Sequence, residues 1–420
     1  MFVRIGNTPR DYAWGDRTAL AELLGRAPSG APEAELWLGA HEGSPSQVLD
    51  PAVGGGCRTL DEFIAADPML ALGRMRVIEA EAAGRAPRLP FLLKVLAAAA
   101  PLSLQAHPSS AQARAGFARE NAQGIPLDDP RRNYQDDQPK PEIIVALEDG
   151  FEALCGFRSA AAAAADFDLL GVPELAARLR AHPSDEAALR AVTRWLLEPD
   201  GDAVAAVVAA VVAGANRVAD SAADAPRFAA VRFIAAQRPS DPGIAVALLL
   251  NHVALRRGEA LYLPAGNIHA YLSGVGVELM TASDNVLRGG LTPKHVDVPE
   301  LLEVLDFAPL PVPFLAAVPV APGVESYRPG GPDFALAHVV VPADSAAGPL
   351  PLPSAAIAIA VAGPVHLAGA GGGSLELARG EAVFITPDEL ALTFTGAGEV
   401  FVATANPSVA TTPKSPQEDS

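Results

Sequence analysis

The 420-residue chain has only two cysteines, Cys57 and Cys155, so a disulfide scaffold is excluded and both are expected to be reduced thiols. It has no basic excess: 31 Lys and Arg against 49 Asp and Glu give a net charge of −18. That balance argues against a nucleic-acid or anionic-membrane partner. No apolar run approaches the roughly 20 residues that span a bilayer. The longest, Ala203–Ala215, reads as a buried helix because it is apolar all round. The start of the chain, MFVRIGNTPRDYAWG, lacks the basic-then-apolar layout of a secretion signal. A soluble, cytoplasmic, multi-domain protein is expected. Lysine is also scarce, four residues against 27 arginines. Where any positive charge suffices, such a chain carries Arg. Lys94, Lys140 and Lys294 therefore mark segments worth inspecting, while Lys414 lies in the C-terminal tail.

Half the residues are hydrophobic and 19% are charged, which is ample material for packed cores. Residues 1–158 mix β-like runs (Pro90–Leu96, Pro101–Gln105, Ile143–Leu147) with turns and short helices such as Leu60–Ala66. Between 159 and 240 the texture turns Ala-rich, with helices expected at Ala160–Leu170, Pro173–Ala181, Glu186–Leu197 and Ala203–Val218. Strands are expected again at Ile244–Leu250, Glu259–Leu263 and Gly276–Met280, followed by a helix over Val298–Phe307. Residues beyond 309 carry short runs (Ala355–Val361, Ala382–Ile385, Ala391–Phe394, Glu399–Ala403) divided by Gly and Pro, the texture of a barrel or sandwich. The expected fold is mainly β with a helical insertion: two cupin-like β-barrel (jelly-roll) domains plus a small α-helical domain. A catalytic domain is expected over 1–158 and 241–319, the helical insertion over 159–240, a C-terminal barrel over 320–405 and a disordered tail over 406–420.

The sharpest local pattern is GEALYLPAGNIHAY, from Gly258 to Tyr271. A turn glycine, a strand and a tight Pro264-x-Gly266 corner precede His269, an arrangement that aims an imidazole into a barrel mouth, where it can ligate a metal. The spacing matches the second signature of the cupins, with Ser273 where that signature usually ends in Asn. Upstream, Gln105 and His107 are two apart on a β-like run and would face one side. Lys140-Pro141-Glu142 sets a carboxylate at the start of another apolar run. Gln105, His107, Glu142 and His269 would make a four-ligand set of nitrogen and oxygen donors. Such a set suits one Zn²⁺ per chain, and Mn²⁺ or Fe²⁺ would also fit. The segment from Gly276 to Lys294 holds Glu278, Asp284, Asn285, Arg288 and Lys294 around Gly289-Gly290. In a chain this acidic an anionic ligand needs a local cationic cluster, which Lys94, Lys140, Arg288 and Lys294 could form.

Together these motifs resemble the type I mannose-6-phosphate isomerases (phosphomannose isomerases), from Tyr12 to about Phe307. The matching segments are Tyr12–Gly15, Ala34–Gly39 with His41, Pro90–Leu96, Leu102–Pro108, Lys140–Glu142, Glu152–Arg158, Leu263–Gly266 with His269–Tyr271, and Ser283–Arg288 with Thr292–Lys294. The resemblance implies that Gln105, His107, Glu142 and His269 bind zinc and that Arg288 is the active-site arginine. It implies a reversible interconversion of mannose 6-phosphate and fructose 6-phosphate through an enediol. Lys94, Ser103, Tyr271 and Trp14 are then expected to line the sugar-phosphate pocket, with Asp284 orienting Arg288 through an ion pair. Glu278, Lys140, Lys294 and a metal-bound water stay open as the proton carrier. One departure stands out: Pro139, where similar enzymes carry a histidine that Pro cannot replace in proton transfer. The expected partner is a small-molecule sugar phosphate, with no nucleic acid and no membrane, and the expected state is a monomer. A non-catalytic sugar-binding cupin, a cupin-type oxygenase and an isomerase of unphosphorylated aldoses remain alternatives.

Overall fold

One strand, His269–Thr281, organises the ligand-bearing part of the chain. In the computed structural model, which describes residues 1–198, 201–218, 225–330 and 334–405, it is the hub of a nine-stranded sheet. The tail 406–420 lies outside the described residues. The chain is mainly β, built from antiparallel strands and a group of helices. It divides into two units, one made of Gly6–Ser46 and Phe91–Val318, the other of Met1–Ile5, Gln47–Pro90 and the chain from Pro319 onward. Among the described residues no helix is long and apolar enough to cross a membrane.

In the first unit, His269–Thr281 changes partners halfway. Its first residues pair with Gln105–Ala106 and Phe151–Phe157, its last with Phe91–Ala98 and Glu142–Ala146. The change is made at Gly274, whose φ is 111° and where a Cβ would lie 2.8 Å from the Cα of Phe151. Only glycine takes that conformation in so close an approach. A register shift between Tyr271 and Ser273 accompanies the bend.

Strand alternation then sorts the side chains. Gln105 stands opposite both His269 and Arg288, so these three share one face. Their neighbours Ala106, Ala270 and Leu287 point the other way, into a core shared with Phe167, Leu189, Val208 and Ile234 of the helical segment. The helices therefore back the ligand-bearing strands. They begin where capping chemistry requires: Ser159 and Ser184 accept from the N–H groups of Ala162 and Ala187, and Pro173 takes a first-turn position.

Several expectations are corrected. Ile244–Leu250 is not a strand: Gly243–Ala247 is helical, and a strand starts only at Leu250. All five helical residues are buried, so no periodicity distinguished the two states, and Asp241 sets the turn by accepting from the Gly243 N–H at 2.8 Å. Pro101–Gln105 is not a regular strand either; only Gln105–Ala106 is. Pro101 offers no N–H, the Leu102 N–H donates to the Tyr271 carbonyl, and Leu104 bonds Gly290 and Gly289 through its N–H and carbonyl without a continuing ladder. Helix Gly201–Arg217 is not buried all round. Val204, Val207, Val208 and Val211 face inward, whereas the alanines between them leave little apolar area in water.

The second unit is a ten-stranded sheet in which Phe334–Pro351 pairs along Ala391–Ala405. The expected pair Ala391–Phe394 and Glu399–Ala403 is one strand, because Gly396 and Gly398 sit where a side chain would strike the backbone of Pro364 and Ala362. The first strand of the chain, Phe2–Gly6, pairs with Ala382–Ile385 of this sheet.

Candidate active site and metal centre

Three donors from three segments meet in the first unit. His107, Glu142 and His269 are buried, and one ligand atom from each lies within 4.8 Å of the others. The Nε2 atoms of His107 and His269 stand 3.2 and 3.3 Å from the two carboxylate oxygens of Glu142. His107 lies just past its short strand, where its carbonyl accepts from the Gly266 N–H at 2.9 Å, so the Pro264–Gly266 corner holds both imidazoles in place.

Hydrogen bonding fixes what those imidazoles can do. His107 Nδ1 donates to the Asn285 carbonyl at 2.7 Å, and His269 Nδ1 donates to the Asn267 carbonyl at 3.0 Å. A carbonyl only accepts, so each ring carries its proton on Nδ1 and presents an Nε2 lone pair. Those lone pairs face carboxylate oxygens, and His107 Nε2, His269 Nε2 and Glu142 Oε2 have no hydrogen-bond partner. Buried donors and acceptors are almost always paired. Burial and the nearby Lys140 push His107 down to about 4, which disfavours a second proton on that ring. A divalent cation resolves the clash, and the residues present fit one. Gln105, opposite His269, shares that face and makes no side-chain hydrogen bond among the described residues. Two imidazoles and a carboxylate, with the Gln105 amide on the same face, are donor types that a zinc site uses.

Beside the metal centre lies a buried charge cluster. Lys140 Nζ is 2.9 Å from Glu142 Oε1. Lys94 stands opposite Glu278, its Nζ 3.1 Å from Glu278 Oε2 and 3.7 Å from Glu35 Oε1. The ammonium also lies 5.0 Å from the centre of the Trp37 ring. Burial alone would lower Lys94, but Glu35 and Glu278 raise it above its ordinary value. Burial, with Glu142 and Glu35 adding to it, raises Glu278 despite Lys94. Tyr271 is buried and donates to Glu278 Oε1 at 2.9 Å, and burial and that carboxylate raise its hydroxyl well above the usual range. Three carboxylates against two ammonium groups leave one negative charge in excess, and a divalent cation would turn the site positive.

Arg288 follows Gln105 in the same row and is half-buried, with no ion pair among the described residues. Burial lowers it. Lys294 is exposed and is lowered by burial of its ammonium and by Arg288. Asp284 does not pair with Arg288: its Oδ2 lies 3.2 Å from His41 Nε2, and its backbone N–H donates to Asp136 Oδ2 at 3.0 Å. Ser103 is half-buried beside Leu104. Trp14 is also half-buried; it stacks on Tyr12 and packs against the cluster containing Phe151 and Tyr271.

Glu35 was not among the expected site residues. Its signal was there in the Glu35-Leu-Trp37 spacing: two residues on one strand face, paired across to the strand of Lys94. Asp136, which holds Ser283, Asp284 and Asn285, sits in a loop whose sequence carries no spacing to reveal it.

Residues 2–160 match a family described as phosphomannose isomerase type I, catalytic domain. The chain is 40% identical over 330 residues to the mannose-6-phosphate isomerase of Escherichia coli (strain K12), covering 76% of this chain and 78% of that protein. The crystal structure of a point mutant of phosphomannose isomerase from Salmonella typhimurium superposes with a TM-score of 0.86 at 34% identity, over 96% of this chain and 99% of that one. A zinc-bound mannose 6-phosphate isomerase structure superposes with a TM-score of 0.85 at 35% identity, over the same shares.

Proposed function

The chain belongs to the type I phosphomannose isomerase family, and on that premise we propose that it is a zinc-dependent aldose–ketose isomerase interconverting mannose 6-phosphate and fructose 6-phosphate through an enediol. The observation that carries the reading is the row His269, Gln105, Arg288: it brings a half-buried guanidinium, without an ion pair among the described residues, beside the buried donor set. Gln105, His107, Glu142 and His269 would hold the zinc. When bound, the metal supplies Lewis-acid polarisation of the sugar oxygens.

The remaining work falls to side chains. Arg288 and Lys294, free of carboxylate partners among the described residues, bind the phosphate or the oxygen that gains charge as the enediolate forms. Glu278 takes the proton from the carbon beside the carbonyl and returns it to the neighbouring carbon. Its raised carboxyl and the Tyr271 hydroxyl at 2.9 Å suit a group that must both accept and give up a proton. Lys94 keeps Glu278 aimed. Pro139 moves no proton, so opening of the sugar ring falls to Lys140, next to it in the chain and buried against Glu142. Ser103, Tyr271 and Trp14 complete the pocket walls. The helical segment 159–240 serves as an insertion that supports the ligand strands; the chain acts as a cytoplasmic monomer, and its net charge of −18 disfavours a nucleic-acid partner.

The test is a zinc-replete assay with fructose 6-phosphate, mannose 6-phosphate and the two unphosphorylated hexoses side by side. Conversion of the phosphorylated pair alone is expected. Equal rates on the free sugars would remove the role of Arg288 and Lys294 as phosphate ligands, and no conversion of any would leave a sugar-binding protein.

A further inference from the structure

The loop residue Asn285 has a side chain saturated with hydrogen bonds, mostly to backbone, and a carbonyl committed to a metal-ligand candidate. It is completely buried. Its Nδ2 donates to the carbonyls of Asp136 and Gln138 at 2.9 and 2.8 Å. Its Oδ1 accepts from the N–H groups of Gln135 and Asp136 at 2.7 and 3.1 Å. Because those partners are backbone donors and acceptors, the orientation of the amide is fixed and every one of its hydrogen-bonding positions is used. The Asn285 carbonyl, in turn, accepts from His107 Nδ1 at 2.7 Å. One residue thus clamps the loop Gln135–Gln138, which leads into Lys140 and Glu142, to the loop that leads into Arg288, and fixes the tautomer of His107.

We propose that Asn285 is the positioning residue of the metal centre: it sets zinc affinity by holding His107 with Nε2 aprotic and by fixing the loop that delivers Glu142. The inference rests on the metal-centre reading above. Partners in this outer position orient a ligating imidazole, and their loss typically costs 10–100-fold in metal affinity. The Asn285 side chain is spent on the loop Gln135–Gln138, so its substitution acts through His107 and Glu142.

Asn285→Asp tests this most sharply, since it keeps the shape but turns a carboxylate oxygen toward the carbonyls of Asp136 and Gln138. Zinc affinity is measured by competition with a chromophoric chelator, and the ligand field by the visible spectrum of the cobalt-substituted protein. About a 10–100-fold rise in zinc Kd is expected, with an altered cobalt spectrum and a turnover that recovers as zinc is raised. Asp136→Asn weakens the carboxylate that accepts from the Ser283 hydroxyl, the Asp284 and Gln138 N–H groups and Asn285 Nδ2, but keeps the backbone partners of Asn285; it gives a smaller rise in the same direction and serves if Asn285→Asp does not fold. A folded variant with zinc affinity within about twofold of the parent and an unchanged cobalt spectrum would overturn the assignment. If the parent protein itself binds no zinc, the metal-centre reading falls first and this inference with it.

Discussion

Lys94→Met tests the buried charge cluster. The substitution keeps the length of the aliphatic stem but removes an ammonium 3.1 Å from Glu278 and 3.7 Å from Glu35, all three groups being buried. Two carboxylates are then left facing each other without a cation between them. Breaking a buried pair by deleting one partner costs about 3–5 kcal/mol, and the lost contact with the Trp37 ring adds to it. For a unit of this size that corresponds to a fall in Tm of roughly 6–20 °C. The pH dependence has a definite sign. Burial, Glu142 and Glu35 raise the Glu278 carboxyl even beside Lys94, and without Lys94 it rises further. A carboxyl raised in the folded state holds its proton better folded than unfolded, so its contribution is present at low pH and lost as pH climbs through the raised value. The deficit relative to the parent is therefore largest at pH 7.5 and shrinks as the pH is lowered toward 5. The assay is thermal unfolding of parent and variant at several pH values in that range. A deficit below about 1 kcal/mol at pH 7.5, or one that grows on acidification, would refute the pairing.

Arg288→Ala should cut turnover by orders of magnitude while bound zinc, measured by elemental analysis, stays near one per chain; near-normal turnover would remove the guanidinium from the chemistry. Removal of zinc by a chelator should abolish isomerisation and lower the midpoint of thermal unfolding, since a ligand at about 1,000 times its Kd contributes about 4 kcal/mol; an unchanged midpoint would mean the site holds no metal. Gly116→Ala should destabilise by about 1–3 kcal/mol, because the new Cβ would collide with the buried Tyr134 ring, whose hydroxyl bonds Glu300 at 2.6 Å; an unfolding curve that overlays the parent's would show that the ring moves aside freely.

What was legible in the sequence was chiefly local. Leu60–Ala66 and Ala382–Ile385 were placed to the residue because flanking turn residues punctuate them. The Pro264–Gly266 corner announced His269 for the same reason. The strand pairings were not legible: Gln105 opposite both His269 and Arg288 joins residues 164 to 183 positions apart, and no local pattern encodes that register. Gln105 and His107 were expected to share a face through strand alternation, yet the strand ends at Ala106 and the Gly266 hydrogen bond holds His107 instead. The Glu35-Leu-Trp37 spacing puts Glu35 and Trp37 on one strand face, but only the pairing with the strand of Lys94 shows that this face is buried. Asp284 lies four residues from Arg288 in sequence, yet a histidine 243 positions away takes it, a pairing no local pattern encodes.

The most direct measurement is a crystal structure of the zinc-loaded protein with diffraction recorded on both sides of the zinc absorption edge. One anomalous peak per chain is expected, about 2.0–2.2 Å from His107 Nε2, His269 Nε2 and a Glu142 oxygen, with the Gln105 amide oxygen completing the set. A peak elsewhere, or none at those three side chains, would contradict the metal centre and the isomerase chemistry built on it.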